Sequence, residues 1–321
     1  IENWGEITGY GNSGKFEKVE VLSVTGTNTI NLTCGLLNTY NQSGKVQIVR
    51  IPRYNNLTVN NASSIVPSVW DGQTGGIVAV EVDATLNMIA GSALSASGFG
   101  FRGGQTDPSG NFGDPNAPNN VTFLGSPAPG EGSEKGESIF GFYVELDALY
   151  SRYGISGSAN GGGGGGYTNC GGGGGSNIGV GTYTGNGVPS AAYTAIWNLD
   201  LSGPPLTAPQ PIGGTVTPGG GRGGYAISDI DLDETSVGPR NTSWGGDARK
   251  TNGGRGGHPL TYDATRIFSG GGGGAGDGDS GEAGPGGRGG GLVFVTCYGA
   301  IIGSGTIESN GEAGYNSNPY N

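Results

Sequence analysis

The chain is 321 residues long, with 73 glycines, 33 % hydrophobic residues and 15 Lys and Arg against 26 Asp and Glu, for a net charge of −11. So few basic residues exclude nucleic acid, whose binding rests on neutralising phosphates, and speak against an anionic membrane surface. The longest apolar stretch falls well short of the roughly 20 residues of a spanning helix, so no membrane insertion is expected, and the hydrophobic fraction implies a small core.

No signal peptide is visible at Ile1-Glu2-Asn3-Trp4, which fits a mature or excised fragment. Phe16 to Thr25, Thr29 to Leu37 and Lys45 to Arg50 read as short strands between Gly, Asn and Ser turns, with Val46, Ile48 and Arg50 alternating against Gln47 and Val49. Pro52 ends that ladder, and Asn55 to Asn61 supplies turn residues before Ile65. The strongest internal signal is a repeat. Gly76-Ile77-Val78-Ala79-Val80-Glu81-Val82 leads to Ala93 to Gly98, and Gly291-Leu292-Val293-Phe294-Val295-Thr296-Cys297 leads to Thr306 to Gly311, with spacing that differs by two residues. Such units suit solenoid rungs, which bury a face only by stacking on a neighbour, or else two ordinary hairpins.

Between the units lies an insert over 105–288, which sets the domain plan: 1–104 as an N-terminal β region, the glycine-rich insert, and 289–321 as the closing strand unit. A structureless loop of that length inside a compact domain is improbable, so the insert is expected to be a folded layer. Its glycine runs, Gly161 to Gly166, Gly171 to Gly175 and Gly270 to Gly274, lie among aromatic residues and strand-like segments, unlike flexible Gly/Ser linkers. Gly278, Gly281, Gly284, Gly287 and Gly290 fall at every third position. That period is too short-lived for collagen but suits a polyproline-II strand, which has three residues per turn and no internal hydrogen bonds. Ser138 to Tyr153 is the only helix candidate. The expected class is all-β: strand units, solenoid-like, framing a glycine-rich layer of polyproline-II or polyglycine-II strands.

Little catalytic chemistry is legible. His258, the single histidine, sits in Gly-Gly-His-Pro and reads as a polar residue at a turn edge. No G-x-S-x-G elbow or phosphate loop occurs, and no catalytic residue is assigned. Asp277, Asp279 and Glu282 could gather as hard oxygen ligands for calcium, as could Asp229, Asp231 and Asp233, although solvated acidic loops explain both. Cys34, Cys170 and Cys297 are widely spaced and read as three small buried residues, with one disulfide plus a free thiol as the alternative. Six sequons, at Asn31, Asn41, Asn56, Asn61, Asn120 and Asn241, read as chance in so polar a chain. Tyr167, Tyr183, Tyr193, Trp197, Tyr225 and Trp244 are candidate contacts for a sugar or protein partner, or else the cover of the glycine layer. Recognition is expected in the loops at 105–160 and 182–265.

Three stretches, Gln47-Ile48-Val49-Arg50-Ile51-Pro52-Arg53-Tyr54-Asn55-Asn56-Leu57-Thr58-Val59, Trp70-Asp71-Gly72-Gln73-Thr74-Gly75-Gly76 and Ser97-Gly98-Phe99-Gly100-Phe101-Arg102-Gly103-Gly104, share a likeness. They resemble the glycine-rich region of large secreted surface proteins of Bacteroidota, including giant adhesins of gliding bacteria. Arg266 to Ser269 with the run to Gly276, and Ile302 to Gly311, continue the resemblance over most of residues 20 to 312. It implies an extracellular, cell-surface location, a structural or adhesive role with a surface glycan or protein as partner, and membership of a larger surface protein or assembly. Phage tail-tip adhesins are similar in composition. A carbohydrate-active enzyme with paired carboxylates or a phage-type receptor-binding adhesin are the alternatives to that role.

Overall fold

The computed structural model describes residues 9–41, 44–106, 132–154, 156–166, 170–177, 253–254, 256–262, 265–278 and 283–315, with Gly5, Ile7, Gly220 and Gly223. Within these residues the chain is β-rich with almost no helix. An antiparallel hairpin of β1 (Val21–Thr25) and β2 (Thr29–Leu32) turns at Gly26, whose φ of +65° favours glycine. The other seven strands pair in parallel. β3 (Arg53–Val59), β5 (Ile77–Met88) and β7 (Leu292–Cys297) lie side by side in that order, and β8 (Ala300–Gly303) continues beside the second half of β5. β4 (Ser64–Ile65), β6 (Ala93–Ser95) and β9 (Thr306–Glu308) form a second sheet in the matching order.

The two units of the sequence repeat therefore stack on each other. Ile77 to Val82 pairs residue for residue with Leu292 to Cys297, and Ala93 to Ser95 with Thr306 to Glu308. They are parallel neighbours and not hairpins. The two-residue difference lies in the corner, where Ile89 to Ser92 in one unit is matched by Ser304 and Gly305 in the other. A third unit, β3 with β4, was not visible as a repeat. Asn55 to Asn61, expected as a turn, is largely strand, because β5 pairs with Tyr54 and with Asn56 to Val59 across a bulge at Asn55 and tertiary pairing overrides the low strand propensity of Asn. Lys45 to Arg50, expected as strand, has no ladder partner. Instead the Gln47 side-chain amide accepts from Gly75 N–H at 3.0 Å and donates to Gly75 O at 3.2 Å.

Alternation along β5 positions the core. Val78, Val80, Val82, Leu86 and Met88 point inward and join Val59 and Leu94, with Val293, Val295 and Cys297 packed against them. On the opposite face, Phe16 packs on Phe294 with ring centroids 5.1 Å apart. Lys18 Nζ donates to Thr296 Oγ1, and Arg53 pairs with both Glu20 and Glu81 at 2.9 Å, fastening the segment that leads into β1.

Beyond β6 the chain turns at Gly98 (φ +74°) and enters the glycine segments, which are joined by backbone hydrogen bonds. Residues 270–277 show the pattern. Gly270, Gly273 and Gly276 donate to Gly290, Gly287 and Gly284 at 2.8–3.0 Å. Gly271, Gly274 and Asp277 donate to Ser176, Gly173 and Cys170, and Gly272 and Ala275 to Glu137 and Glu134. Each third amide thus returns to the same neighbour. Carbonyls of this segment accept in turn from Phe101 and Gly104 and from Gly162 and Gly165. The approach leaves no room for side chains: a Cβ on Gly271 would lie 1.8 Å from Asn160 O, and one on Gly272 1.9 Å from Arg102 O. Among the described residues a single helix, α1 (Tyr143–Asp147), falls inside the one stretch expected to be helical.

Candidate functional site

In a strand with three residues per turn, positions i and i+3 share a face. Three adjacent segments each contribute two residues three positions apart to a groove of about 310 Å³. Arg102 and Gln105 come from the first, Pro285 and Arg288 from the second, Glu312 and Tyr315 from the third. Backbone bonds hold the rows in register: Gly286 to Gly104 O (2.9 Å), Gly289 to Phe101 O (2.9 Å), Glu312 to Arg288 O (2.8 Å) and Tyr315 to Pro285 O (3.1 Å). Phe142 and Tyr143, at the start of α1, form one wall, and Gly103 and Gly286 leave the floor free of side chains.

A buried ionic cluster supports the wall. The Glu137 side chain is fully buried. Its carboxylate accepts from Arg102 Nε at 2.8 Å, Arg102 Nη2 at 3.1 Å, Arg102 backbone N–H at 3.0 Å and Trp70 Nε1 at 3.0 Å. Arg102 spends its remaining Nη on Asp71 O at 3.1 Å and lies over the Phe142 ring. Arg152 stacks on Tyr143, 3.9 Å from the ring centroid, while pairing with Glu134 at 2.6 Å and Asp147 at 3.3 Å. Burial, and then the Glu134 carboxylate, push the Tyr143 phenol above its ordinary value, so it remains a neutral donor near physiological pH. Lys135, fully buried between the two glutamates in sequence, donates to Ser151 O at 2.5 Å, and burial lowers its pKa to about 7.

Arg288 differs from the other two arginines. Among the described residues its guanidinium enters no ion pair and donates from Nη1 to Trp70 O at 3.2 Å. Glu312 beside it accepts from Arg288 backbone N–H at 3.3 Å.

Most of the residues singled out from sequence lie outside those the structure describes. Tyr167, Tyr183, Tyr193, Trp197, Tyr225 and Trp244 lie outside the described residues, as do Asp279, Glu282 and the acidic trio at 229–233. Asp277 is 2 % exposed and exchanges two backbone hydrogen bonds with Cys170, at 2.8 and 3.1 Å, so it is a buried residue held against a neighbouring segment rather than part of a solvated loop. Among the described residues no group of three His, Cys, Asp or Glu is placed to hold a metal. Cysteine burial also departs from expectation: Cys170 is buried, Cys297 half-buried and Cys34 exposed, each a free thiol. His258 is buried, not at an edge, its N–H on Ala159 O at 2.7 Å and its carbonyl accepting from Ser176 Oγ.

The groove residues were not found from sequence, although a signal existed. Pro285 and Arg288 occupy one phase of the period-three stretch, between glycines at 284, 287 and 290. Comparison with known proteins finds no matching family model, no similar curated protein and no similar solved structure. Among the described residues no helix is long and apolar enough to cross a membrane.

Proposed function

We propose that this chain is a non-enzymatic extracellular module of a cell-surface protein, structural and adhesive in role. Stacked parallel rungs of a short solenoid frame a layer of polyglycine-II strands, and the layer presents loops and a groove to a partner. The observation that carries this reading is the return of every third amide of residues 270–277 to the same neighbouring segment. A threefold strand with no internal hydrogen bonds must find all its backbone partners in adjacent strands, and only glycine permits strands to approach from every side. The result is thin, stiff and tolerant of change in the loops that leave it. The likeness of Gln47 to Val59, Trp70 to Gly76 and Ser97 to Gly104 to the glycine-rich regions of large surface adhesins agrees with such a role.

Amide hydrogen exchange tests the scaffold. The amides of Gly271 to Asp277 are expected to exchange only through global unfolding, about 10³-fold or more slower than in an unstructured glycine chain. Exchange at unstructured-chain rates sinks the reading. For the adhesive role, beads coated with the folded chain should be retained under flow on glycan- or protein-coated surfaces. Equal retention of beads carrying heat-unfolded chain overturns it.

A further inference from the structure

Resting on that reading, we infer that the groove between Arg102, Tyr143, Arg288, Glu312 and Tyr315 is a binding subsite for a short neutral saccharide. Its size, about 310 Å³, sits at the lower end of small-molecule sites, which span about 300–1,000 Å³. Two features of the lining select the chemistry. The first is the balance of charge. Arg102 is neutralised by Glu137 below the surface, which leaves Arg288 and Glu312, one cation and one anion on adjacent strands. A lining of that kind offers no net attraction to an anion or a cation. It offers instead neighbouring donors and acceptors, and the vicinal hydroxyls of a sugar, each both donor and acceptor, match such an array. Gln105 adds an amide with both functions, its side chain making no hydrogen bond among the described residues, while its backbone N–H is held by Glu134 at 2.9 Å.

The second feature is the pair of rings. Tyr315 is 63 % exposed on a segment fixed by the bond to Pro285 O, and Tyr143 is clamped between the stacked Phe142 ring, 4.0 Å away, and the Arg152 guanidinium. The exposed Tyr315 ring presents an apolar face to the C–H face of a pyranose while its phenol remains wet, the amphipathic use for which tyrosine is suited; Tyr143, its faces covered, offers only a fixed ring edge as a wall. Tyr143 is held before binding by its contacts with Phe142 and Arg152, so little rotamer entropy is lost at that wall when the sugar arrives. Side chains i and i+3 on a threefold strand stand about 9 Å apart, so each of the three rows can address successive parts of one oligosaccharide.

The experiment uses the full 321-residue chain and hexasaccharides of neutral gluco-, manno-, xylo- and N-acetylgluco- type, read by saturation-transfer NMR and by calorimetry, with oligogalacturonate as the acidic probe. At least one neutral member is expected to bind, with affinity weakened about tenfold or more by Tyr315→Ala and by Arg288→Ala. Tyr315 is solvent-exposed, so its variant folds whatever becomes of the arginine variant, and urea midpoints verify both. Silence across the neutral panel, binding of the acidic probe alone, or neutral binding untouched by both substitutions each overturns the subsite. A silent groove on a chain whose glycine amides exchange slowly removes the saccharide and leaves the scaffold standing, so the two failures are distinguishable.

Discussion

Glu137 lies in Gly-Glu-Ser within a stretch that reads as a polar loop, yet its carboxylate is fully buried and takes hydrogen bonds from Trp70 and from three Arg102 nitrogens. The planar guanidinium fork suits a carboxylate, and that geometry is what lets the pair leave water at all. Removing one partner strands the other. Glu137→Ala is expected to destabilise the fold by about 1–3 kcal/mol, the cost of leaving buried hydrogen-bond partners unsatisfied, short of that of a fully buried charge because Arg102 keeps 28 % of its side chain exposed, and Glu137→Gln by clearly less, since it keeps the acceptor for Trp70. Urea denaturation of the three proteins decides this, and a Glu137→Gln variant as stable as the unsubstituted chain would refute the charge argument. None of this pairing was legible locally, because Trp70, Arg102 and Glu137 are brought together from distant parts of the chain by the backbone of the glycine segments.

At the scale of the element, glycine matters through space more than through conformational freedom. Gly272 has an ordinary φ, but a Cβ there would meet Arg102 O at 1.9 Å. The obstacle is backbone already bonded to its neighbours, which cannot swing aside as a side-chain tip would. Gly9 also has an ordinary φ, with nothing within 4 Å of its Cβ position. Gly272→Ala should therefore cost at least the about 1–3 kcal/mol of core overpacking, and Gly9→Ala should be neutral or stabilise by up to about 1 kcal/mol through the unfolded state. Thermal midpoints measure both, and similar shifts for the two would mean that the strands can part. The strand units behave differently. Their inward alternation at Val78, Val80 and Val82 is local, so, while their pairing came from the structure, sequence placed them and the matching unit Leu292 to Cys297. It mistook Asn55 to Asn61 because a polar strand is stabilised by the ladder of its neighbour, which no local window contains.

For the whole molecule, Lys135 sets a pH dependence. A lysine in the unfolded chain titrates near 10.5, and burial lowers this one to about 7 in the fold. Between those values the unfolded state holds the extra proton, so the unfolding free energy rises with pH, by up to about 1.4 kcal/mol per unit. Below pH 7 both states are protonated, and the contribution is flat and at its least favourable. Lys135→Met should flatten the rise between pH 7 and 10. Urea midpoints at pH 6, 8 and 9.5 test it, and an unchanged slope in the variant would show that the ammonium reaches water or a counter-charge.

The sequence by itself determined the β-rich class, the place of the helix found among the described residues, and the existence of two matching strand units, because alternation and turn residues act over a few positions; that the units pair was decided by the tertiary structure. It also held the period of three that puts Pro285 beside Arg288. Only the tertiary structure decided which amide each glycine carbonyl receives, that Glu137 and Lys135 are buried, and that Arg102, Arg288 and Tyr315 face one groove. Side-chain alternation is written along the chain; the partner of a glycine backbone is not, since one glycine strand differs from the next only in what surrounds it.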